Sequence, residues 1–532
     1  MRKPMILVLG ISLLLASCST GSTPTPKPTP TPTPTTPPVN TAPASSAEIP
    51  PVPRNVNTGN YDCSSLKGSG VTPLSLRLNR GADIYDQGTH VPGQLRGLSD
   101  TPETLQDLLY TTKSIINNMY YGYSTVNLDD LHESAYKAFK KDFPNKLNTY
   151  LLSDEWASYS NLSDARQALV DTKMDSYIDG VKDGHTFYMN RAQTDADKNG
   201  SAPTPVLGVS LALVPGQDGL ILTDARLNGP ALTAGMRRGD VILSINGTAL
   251  TRTASLLDDQ QYAAFRKVLT SAISAGGDLV MNVKTAGQQH MVRATPAVLT
   301  GTSLPWGEVR TDTGGKQHYY IHIPTFSSVG PQRSQSVPMP IASRVHQLVA
   351  DAQSKGVDNI VMDLRGNGGG LLIEFVGAAA AFAPNIAGES TRYIDGSSIK
   401  FAYSASNVVL TDGCGLYNQN YPVQNTAQWK GKMVVLVDGK SASASEMFST
   451  NMQAAGIKVI GSDTYGVGAT STYHLDLPGG RSMSVTAGRT YINDKPVAES
   501  VKPDIVSLDN YAQLADTGVD NTLQTAYREL NK

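Results

Sequence analysis

At the end of one apolar run the chain reads Val437-Asp438-Gly439-Lys440-Ser441-Ala442-Ser443-Ala444-Ser445-Glu446. The run before it, Met433 to Val437, is typical of a buried strand, and the pattern that follows, Ala444 to Ala455, is typical of a helix. At such a junction the helix N-terminus supplies N–H groups and positive potential for a developing oxyanion. We therefore interpret Ser443 as a candidate nucleophile. The alternative is a helix N-cap, where serine is common.

A second junction of the same kind carries Asp363-Leu364-Arg365-Gly366-Asn367-Gly368-Gly369-Gly370. Three consecutive glycines let the backbone turn sharply and approach a ligand closely. Their N–H groups can form the other half of an anion-binding pocket. A merely flexible loop would not explain its place between a strand pattern and a helix pattern.

Short, largely apolar runs alternate with helical stretches from about Pro305 to Asp504. The predicted strands are Tyr319 to Ile323, Ile360 to Leu364, Met433 to Val437 and Val459 to Gly461. The predicted helices are Ser343 to Lys355, Leu371 to Phe382 and Ala444 to Ala455. Alternation of this kind favours an α/β domain with a mainly parallel sheet.

The segment from Val206 to Ala297 has a different pattern, with short strands, a helix opened by Pro230 and an Asn246-Gly247 hairpin signal. The order of its Gly, Pro, Ala and Gly-Asp turns resembles a PDZ domain. The resemblance implies that an extended peptide adds to the sheet edge near Leu207, Gly208 and Val209, with its terminal carboxylate held by backbone amides. The alternative is a PDZ domain that only packs against its neighbour.

The first residues of the chain have the pattern of a targeting signal. Arg2 and Lys3 precede an apolar run, Met5 to Ala16, that is shorter than the roughly 20 residues needed to span a bilayer, which predicts a signal peptide. Its end resembles a bacterial lipobox, which implies lipid attachment to Cys18 and anchoring to a membrane. The alternative is an ordinary signal peptide with an incidental cysteine. The Pro/Thr/Ser-rich stretch that follows predicts an extended stalk.

Composition limits the partners. The chain has 44 Lys+Arg against 46 Asp+Glu and a formal net charge of -2, whereas nucleic-acid binding needs a basic surface. No residue pattern predicts a metal site, a nucleotide loop or another cofactor. Two cysteines remain besides Cys18. These two, Cys63 and Cys414, either form a disulfide in an oxidising compartment or remain separate buried thiols.

The two junction motifs, in this order after a PDZ-like segment, resemble the C-terminal processing (tail-specific) serine peptidases. The resemblance implies that Ser443 is the nucleophile, that the Ala444 amide is one oxyanion donor, and that Gly369 or Gly370 supplies the other. In the usual pattern a later Gly-Lys-Gly provides a lysine base. Here the lysine position is Val467, which cannot accept a proton.

Two explanations of this departure remain. Asp183-Gly184-His185-Thr186 resembles the motif of the tricorn-core branch of the family, which implies that His185 is the base and that a carboxylate, Glu499, orients it. The other explanation is a catalytically inactive scaffold that binds peptides. His185 could also serve only within a helical domain, which the pattern from about Thr101 to Asn190 predicts.

Taken together, the sequence predicts a secreted, lipid-anchored serine endopeptidase that cuts unstructured or C-terminal segments of proteins outside the cytoplasm of a bacterium. The expected fold is an α/β catalytic domain, crotonase-like with a mainly parallel sheet, combined with an inserted PDZ domain and an N-terminal helical domain. The predicted segments are a signal peptide with lipobox (1–18), a stalk (19–54), the helical domain (55–195), the PDZ domain (204–298) and the catalytic domain (303–532).

Overall fold

The computed structural model describes the carboxyl-terminal two thirds of the chain nearly without interruption. The described ranges are 183–194, 205–299, 301–328, 339–383, 389–393, 396–415, 418–477, 479–492 and 494–532, with single positions between 108 and 181. The predicted signal peptide, its Cys18, the stalk and most of the predicted helical domain lie outside these ranges. Within the described part, no helix is both long enough and apolar enough to cross a membrane.

The described strands and helices are numbered here in chain order. The strands are β1 (Phe187–Met189), β2 (Val209–Leu213), β3 (Leu220–Ala225), β4 (Val241–Ile245), β5 (Thr248–Ala249), β6 (Leu279–Thr285), β7 (Gln288–Ala294), β8 (Trp306–Thr311), β9 (Gln317–His322), β10 (Asn359–Asp363), β11 (Glu389–Tyr393), β12 (Ser398–Ser404), β13 (Asn407–Asp412), β14 (Asn418–Pro422), β15 (Lys432–Val437), β16 (Lys458–Gly461), β17 (Thr470–Leu477), β18 (Arg481–Ile492), β19 (Lys495–Pro496) and β20 (Ile505–Val506). The helices with defined bounds are α1 (Pro230–Thr233), α2 (Asp258–Ser274), α3 (Pro340–Ser354), α4 (Leu372–Ala379), α5 (Ala444–Ala454), α6 (Tyr511–Thr517) and α7 (Asn521–Leu530).

A six-stranded sheet in the order β20-β16-β15-β10-β9-β8 forms the centre of the region after residue 303. Its pairs are parallel except β8 with β9. All five residues of β10 are buried, which explains why this strand is a continuous apolar run rather than an alternating one. Because β10 and β15 are parallel neighbours, the loops that follow them, with the three glycines and with Ser443, meet at one edge of the sheet.

Helices cover both faces of this sheet. Ile360, Met362 and Val435 face the main core, which includes side chains of α3, α4 and α5. On the opposite face, Val361 and Val434 pack in a smaller cluster with side chains of α7. The alternation follows from the two-residue period of a strand, and it places each junction helix directly after its strand.

A second sheet of eight antiparallel strands corrects the expectation of a mainly parallel domain. Its order is β1-β18-β11-β12-β13-β14, with β17 and β19 also paired to β18. Strands such as β13 alternate buried and half-exposed residues, so they lack the continuous apolar runs by which the other strands were predicted. The pairing of β1 with β18 holds the segment directly after His185 against this second sheet.

The third sheet, β2-β3-β4-β6-β7 with β5 beside β4, encloses a separate core. Helix α2 covers this core with Phe265 and Leu269. The predicted hairpin signal is the turn from β4 to β5, where Asn246 and Gly247 both have positive φ (48° and 82°), as the favoured two-residue hairpin turn requires.

Few of the positions before residue 183 are described. Leu108, Thr112, Ile115 and Ile116 are helical and buried, at the spacing of one helix face. Cys414 is disulfide-bonded, and the other two cysteines of the chain, Cys18 and Cys63, lie outside the described residues.

Candidate active site

The serine-rich turn after β15 leaves one hydroxyl unengaged. Ser441 Oγ donates to the carbonyl of Leu364 (2.8 Å), and Ser445 Oγ donates to the carbonyl of Asn367 (2.9 Å). Both side chains are fully buried. Ser443 is only partly buried, and its Oγ makes no hydrogen bond within the described residues. Of the three serines, Ser443 therefore carries the hydroxyl that a substrate can reach.

The backbone at Ser443 is strained. Its φ of 53° and ψ of -116° lie in a region that L-residues rarely adopt and that costs about 1–3 kcal/mol. Ser443 takes the N-cap position of α5, but its side chain makes no capping bond. A serine held on a sharp strand-to-helix turn is the arrangement by which serine hydrolases expose their nucleophile.

Two backbone N–H groups beside Ser443 lack an acceptor within the described residues: those of Ala444 and Gly370. The N–H of Gly369 instead donates to Asn367 Oδ1 (2.9 Å). Of the two glycines that the sequence offered as oxyanion donors, only Gly370 has an N–H group without an acceptor among the described residues. Gly369 has a packing role, since a Cβ atom there would lie 2.7 Å from Ser443 Cβ.

Glu446 links the turn that carries Ser443 to the loop after β16 through hydrogen bonds. Its buried carboxylate accepts hydrogen bonds from the N–H of Ser443 (2.7 Å), Thr464 Oγ1 (2.5 Å) and the N–H groups of Gly466 (2.8 Å) and Val467 (3.0 Å). Burial raises the pKa of Glu446, although these hydrogen bonds oppose the shift. The bonds fix Val467 next to the turn that carries Ser443.

Val467, at the position where the usual pattern has lysine, contacts the loop that carries the candidate histidine. It is 4% exposed, and a Cβ atom on Gly184 would lie 3.2 Å from Val467 Cγ1. Residues 184 and 467 are far apart in sequence, so this contact is a product of the fold. It brings His185 into the neighbourhood of Ser443, although the two side chains share no hydrogen bond in the structure.

Thr470 lies beside one ring nitrogen of His185. Its Oγ1 is within hydrogen-bond distance of the carbonyl of Val467 (3.1 Å) and of His185 Nδ1 (2.8 Å). When the hydroxyl donates its single proton to Val467, Nδ1 is the donor in the second bond. In this tautomer His185 Nε2 carries the lone pair that a general base needs.

His185 is neutral at physiological pH. Burial, which disfavours the imidazolium, lowers its pKa to about 4, and Asp183 opposes the shift while His474 adds to it. The Asp183 carboxylate also accepts from the N–H groups of His185 (3.0 Å) and Thr186 (2.6 Å), which fixes the turn. Burial and the neighbouring Asp183 raise the pKa of Tyr120, whose hydroxyl bonds to that carboxylate.

The prediction that Glu499 orients His185 does not fit this geometry. The histidine nitrogen that an orienting group would hold is bonded to Thr470. The Glu499 side chain is exposed, and its main-chain carbonyl accepts from the N–H of Gly468 (2.9 Å). Main-chain bonds from the N–H groups of Gly468 and Thr464 to the carbonyls of Glu499 and Val501 hold the Glu499 backbone in this region.

Residues 318–507 match the family model of peptidase family S41. The matched range includes both junction loops and Ser443. This part of the chain forms a domain of peptidase family S41. His185 lies before the matched range, so the match leaves the role of this histidine to be argued from geometry.

Curated relatives and a solved structure agree with this assignment. The chain is 28% identical to the chloroplastic C-terminal processing peptidase of Tetradesmus obliquus, with 58% of this chain and 61% of the relative aligned. It is 23% identical to a protein of Staphylococcus aureus strain MRSA252 described as CtpA-like serine protease, with 67% and 60% aligned. The chain thus spans about 60% of the length of these relatives. A Bacteroides fragilis NCTC 9343 structure assigned to the S41 proteases has the same fold, with TM-score 0.50, 16% identity, and 79% of this chain and 95% of that chain covered.

A charged interface joins the S41 domain to the third sheet. Arg238 pairs with Asp509 (2.6 Å) and Asp520 (3.1 Å), and Arg365 pairs with the same two carboxylates (2.7 and 3.0 Å). Burial opposes ionisation of Asp363, but the adjacent Arg365 outweighs it and holds the pKa of Asp363 well below its usual range. Through these two aspartates, Arg365 links the three-glycine loop to the segments on either side of α6 and to Arg238 of the third sheet.

His318 and His322 share a face of β9, and both are buried. His318 Nε2 lies 3.1 Å from Asp312, and His322 Nε2 lies 3.0 Å from Asp224 of the third sheet. Burial disfavours the charged form of His322, but Asp224 outweighs it and raises the pKa of His322. Within the described residues no group of three or more His, Cys, Asp or Glu side chains could hold a metal ion.

The packing of Gly369 gives a first prediction. Gly369→Ala is expected to lower kcat/KM at least 100-fold, because the new methyl would displace the Ser443 turn. Gly366→Ala is the matched control: φ is positive at both sites (77° and 98°), but nothing lies within 4 Å of the Gly366 position. Peptide hydrolysis by both variants measures the change in kcat/KM, and thermal unfolding shows whether each variant is folded. Equal losses of activity would show that backbone strain, and not the contact with Ser443, is responsible.

Proposed function

We propose that this protein is a serine endopeptidase that hydrolyses peptide bonds in unstructured or C-terminal segments of proteins, with Ser443 as nucleophile and His185 as base. The observation that carries the proposal is the partly exposed, unbonded Ser443 hydroxyl beside two unengaged N–H groups. The S41 assignment supports the reaction class. Peptide-bond cleavage needs this combination of an accessible nucleophile and preorganised oxyanion donors.

In the proposed reaction, His185 Nε2 takes the proton of Ser443 Oγ as that oxygen attacks the substrate carbonyl carbon. The N–H groups of Ala444 and Gly370 hold the oxyanion. His185 then gives the proton to the leaving amine, and the C–N bond breaks to leave an acyl-enzyme. A water molecule, deprotonated by His185, hydrolyses the ester and restores Ser443.

The bond from His185 to Thr470 supports the assignment of the base. Thr470→Val removes the hydroxyl that accepts from the Nδ1–H of His185, so the other tautomer becomes available. As a result, kcat is expected to fall about 10- to 100-fold with KM little changed. Thr470→Ser keeps the hydroxyl and is expected to retain most of the activity. Kinetic measurements on both variants test the role of Thr470 as a positioning residue. A Thr470→Val enzyme with wild-type kcat would show that the tautomer is not set here.

We also propose that the third sheet is a PDZ domain that receives the substrate chain end. Leu207, Gly208 and Val209 line a groove of about 970 Å³ between β2 and α2. Its wall also includes Thr325, whose hydroxyl donates to the carbonyl of Gly369 (3.2 Å). This contact would let an occupied groove influence the oxyanion loop. The predicted helical domain (55–195), which precedes the third sheet in the chain, would complete the part of the site that contains His185.

The lipobox-like end of the apolar segment supports the further proposal that Cys18 is lipidated and that the enzyme works at the outer side of a bacterial membrane. The membrane is then a partner through the lipid alone. Mass spectrometry of the protein purified from membranes tests this, because Cys18→Ala should abolish both the lipid mass and the membrane fraction.

The function itself is tested by incubating the purified full chain with an unfolded protein and sequencing the products by mass spectrometry. New chain ends that appear with the wild type, and not without it, support the endopeptidase. The second candidate, a peptide-binding scaffold, is favoured by Val467 in place of lysine. It predicts retained peptide binding without any new chain ends.

A further inference from the structure

The groove between β2 and α2 is lined by residues of both elements. Leu269 and Ile273 of α2 and Gly208 just before β2 contribute to its walls. Toward the start of α2, the Tyr262 hydroxyl donates to the main-chain carbonyl of Leu211 (3.2 Å), which joins the helix to the strand. We expect this bond to limit how far a peptide can lie along β2.

The charge of this groove is positive. Its lining includes the arginines Arg226 and Arg266, and neither is paired with a carboxylate among the described residues. Arg226 donates instead to the main-chain carbonyl of Gly301 (2.8 Å), and Arg266 lies over the Tyr262 ring (5.9 Å). The single acidic lining residue, Asp224, is 3.0 Å from His322 Nε2. The groove thus offers unneutralised positive charge to its occupant.

The spacing of groove-lining residues along α2 is similar to the spacing of side chains on one face of an extended peptide. Arg266 precedes Thr270, which also lines the groove, by four residues or about 6 Å of helix. Side chains two residues apart on an extended peptide lie on the same face, about 6.6 Å from each other. If the terminal side chain lies beside Leu269 and Ile273, the next side chain facing α2 lies beside Arg266.

We propose that the groove selects chain ends with an apolar terminal residue and an acidic side chain two residues before it, with Arg266 reading the acidic side chain. The Arg226 guanidinium, which also lines the groove, adds attraction for the terminal carboxylate. The inference rests on the proposed peptide-binding function of this segment. It specifies the substrate class, unfolded proteins with acidic, apolar-ended tails.

Fluorescence anisotropy with labelled peptides tests the selection, using the full chain with Ser443→Ala so that no peptide is cut. The peptides end in leucine and carry Glu or Lys two residues before it, or Glu one residue before it. The first is expected to bind about 10-fold more tightly than the other two, with the difference shrinking at high salt. Amidation of its chain end should weaken binding further.

Arg266→Glu is expected to reverse the preference between Glu and Lys. Lys267→Glu makes the same charge change at the next exposed position of α2, which does not line the groove, and should leave the preference unchanged. Equal binding of all peptides, a reversal by Lys267→Glu, or no binding at all would overturn the inference. Failure of the peptidase proposal is separate, because it would appear as absent hydrolysis by the wild-type chain while the peptide preference persists.

Discussion

Ser443→Ala is expected to abolish peptide hydrolysis while the fold remains intact. Among the described residues the hydroxyl has no hydrogen-bond partner that its removal would leave unsatisfied, so the free energy of unfolding should change by less than about 0.5 kcal/mol. Loss of the nucleophile leaves only the rate that binding and the oxyanion donors provide, a fall of about 10⁶-fold in a comparable hydrolase. Hydrolysis of a quenched fluorescent peptide and thermal unfolding measure the two effects.

Ser445→Ala is the matched control for this variant. It removes a hydroxyl two residues away, but one that donates to the carbonyl of Asn367. The expected result is the reverse: a loss of about 1 kcal/mol in the free energy of unfolding and substantial remaining activity. A Ser443→Ala protein that still hydrolyses the peptide at the wild-type rate would remove Ser443 from the mechanism.

His185→Ala is expected to lower kcat/KM by about 10⁴-fold or more, since the serine then lacks a base and Val467 cannot replace it. The wild-type pH profile gives a second readout. Because burial lowers the pKa of His185 to about 4, the base is neutral above that pH. The value of kcat/KM should therefore rise with pH through about 4 and stay level to neutrality, whereas an unperturbed histidine would give its rise near 6.5.

His474 provides the control for this prediction. It is close enough to His185 to affect its pKa, and its ring packs edge-on against Phe187. His474→Ala removes an imidazole from the same region and is expected to lower kcat/KM less than 10-fold. If the two variants were equally impaired, a general disturbance of this region would explain the loss better than a missing base.

The strand-to-helix junctions could be predicted from sequence because each is encoded locally. The predicted strand Ile360 to Leu364 and helix Leu371 to Phe382 correspond to β10 and α4, displaced by one to three residues at their ends. Buried parallel strands are continuous apolar runs, and the glycines between them mark the turn. The same local signals led to Ser443 as the candidate nucleophile.

The side chain that hydrogen-bonds to His185 could not be predicted from local sequence signals. Thr470 is 285 residues from His185 in the chain, and no motif marks it. A carboxylate was expected because it is the common partner of a catalytic histidine, but the fold places a hydroxyl there. Glu446 lies within the quoted serine-rich stretch, yet its bonds to Gly466 and Val467 depend on the packing of the loop after β16.

The antiparallel sheet was missed for a related reason. A strand with one buried face alternates apolar and polar residues over a few positions, which is a weak signal when the strand is short. The choice between Gly369 and Gly370 was equally beyond sequence, since it depends on which N–H group Asn367 Oδ1 accepts.

The central claim is that Ser443 is activated by His185 in an S41 domain whose lysine position is valine. Labelling with a fluorophosphonate tests it most directly, because the probe reacts only with an activated serine. The full chain should be labelled, and both Ser443→Ala and His185→Ala should lose the label while remaining folded. Labelling of His185→Ala at the wild-type rate, or an unlabelled wild type that also leaves an unfolded protein uncut, would contradict the claim.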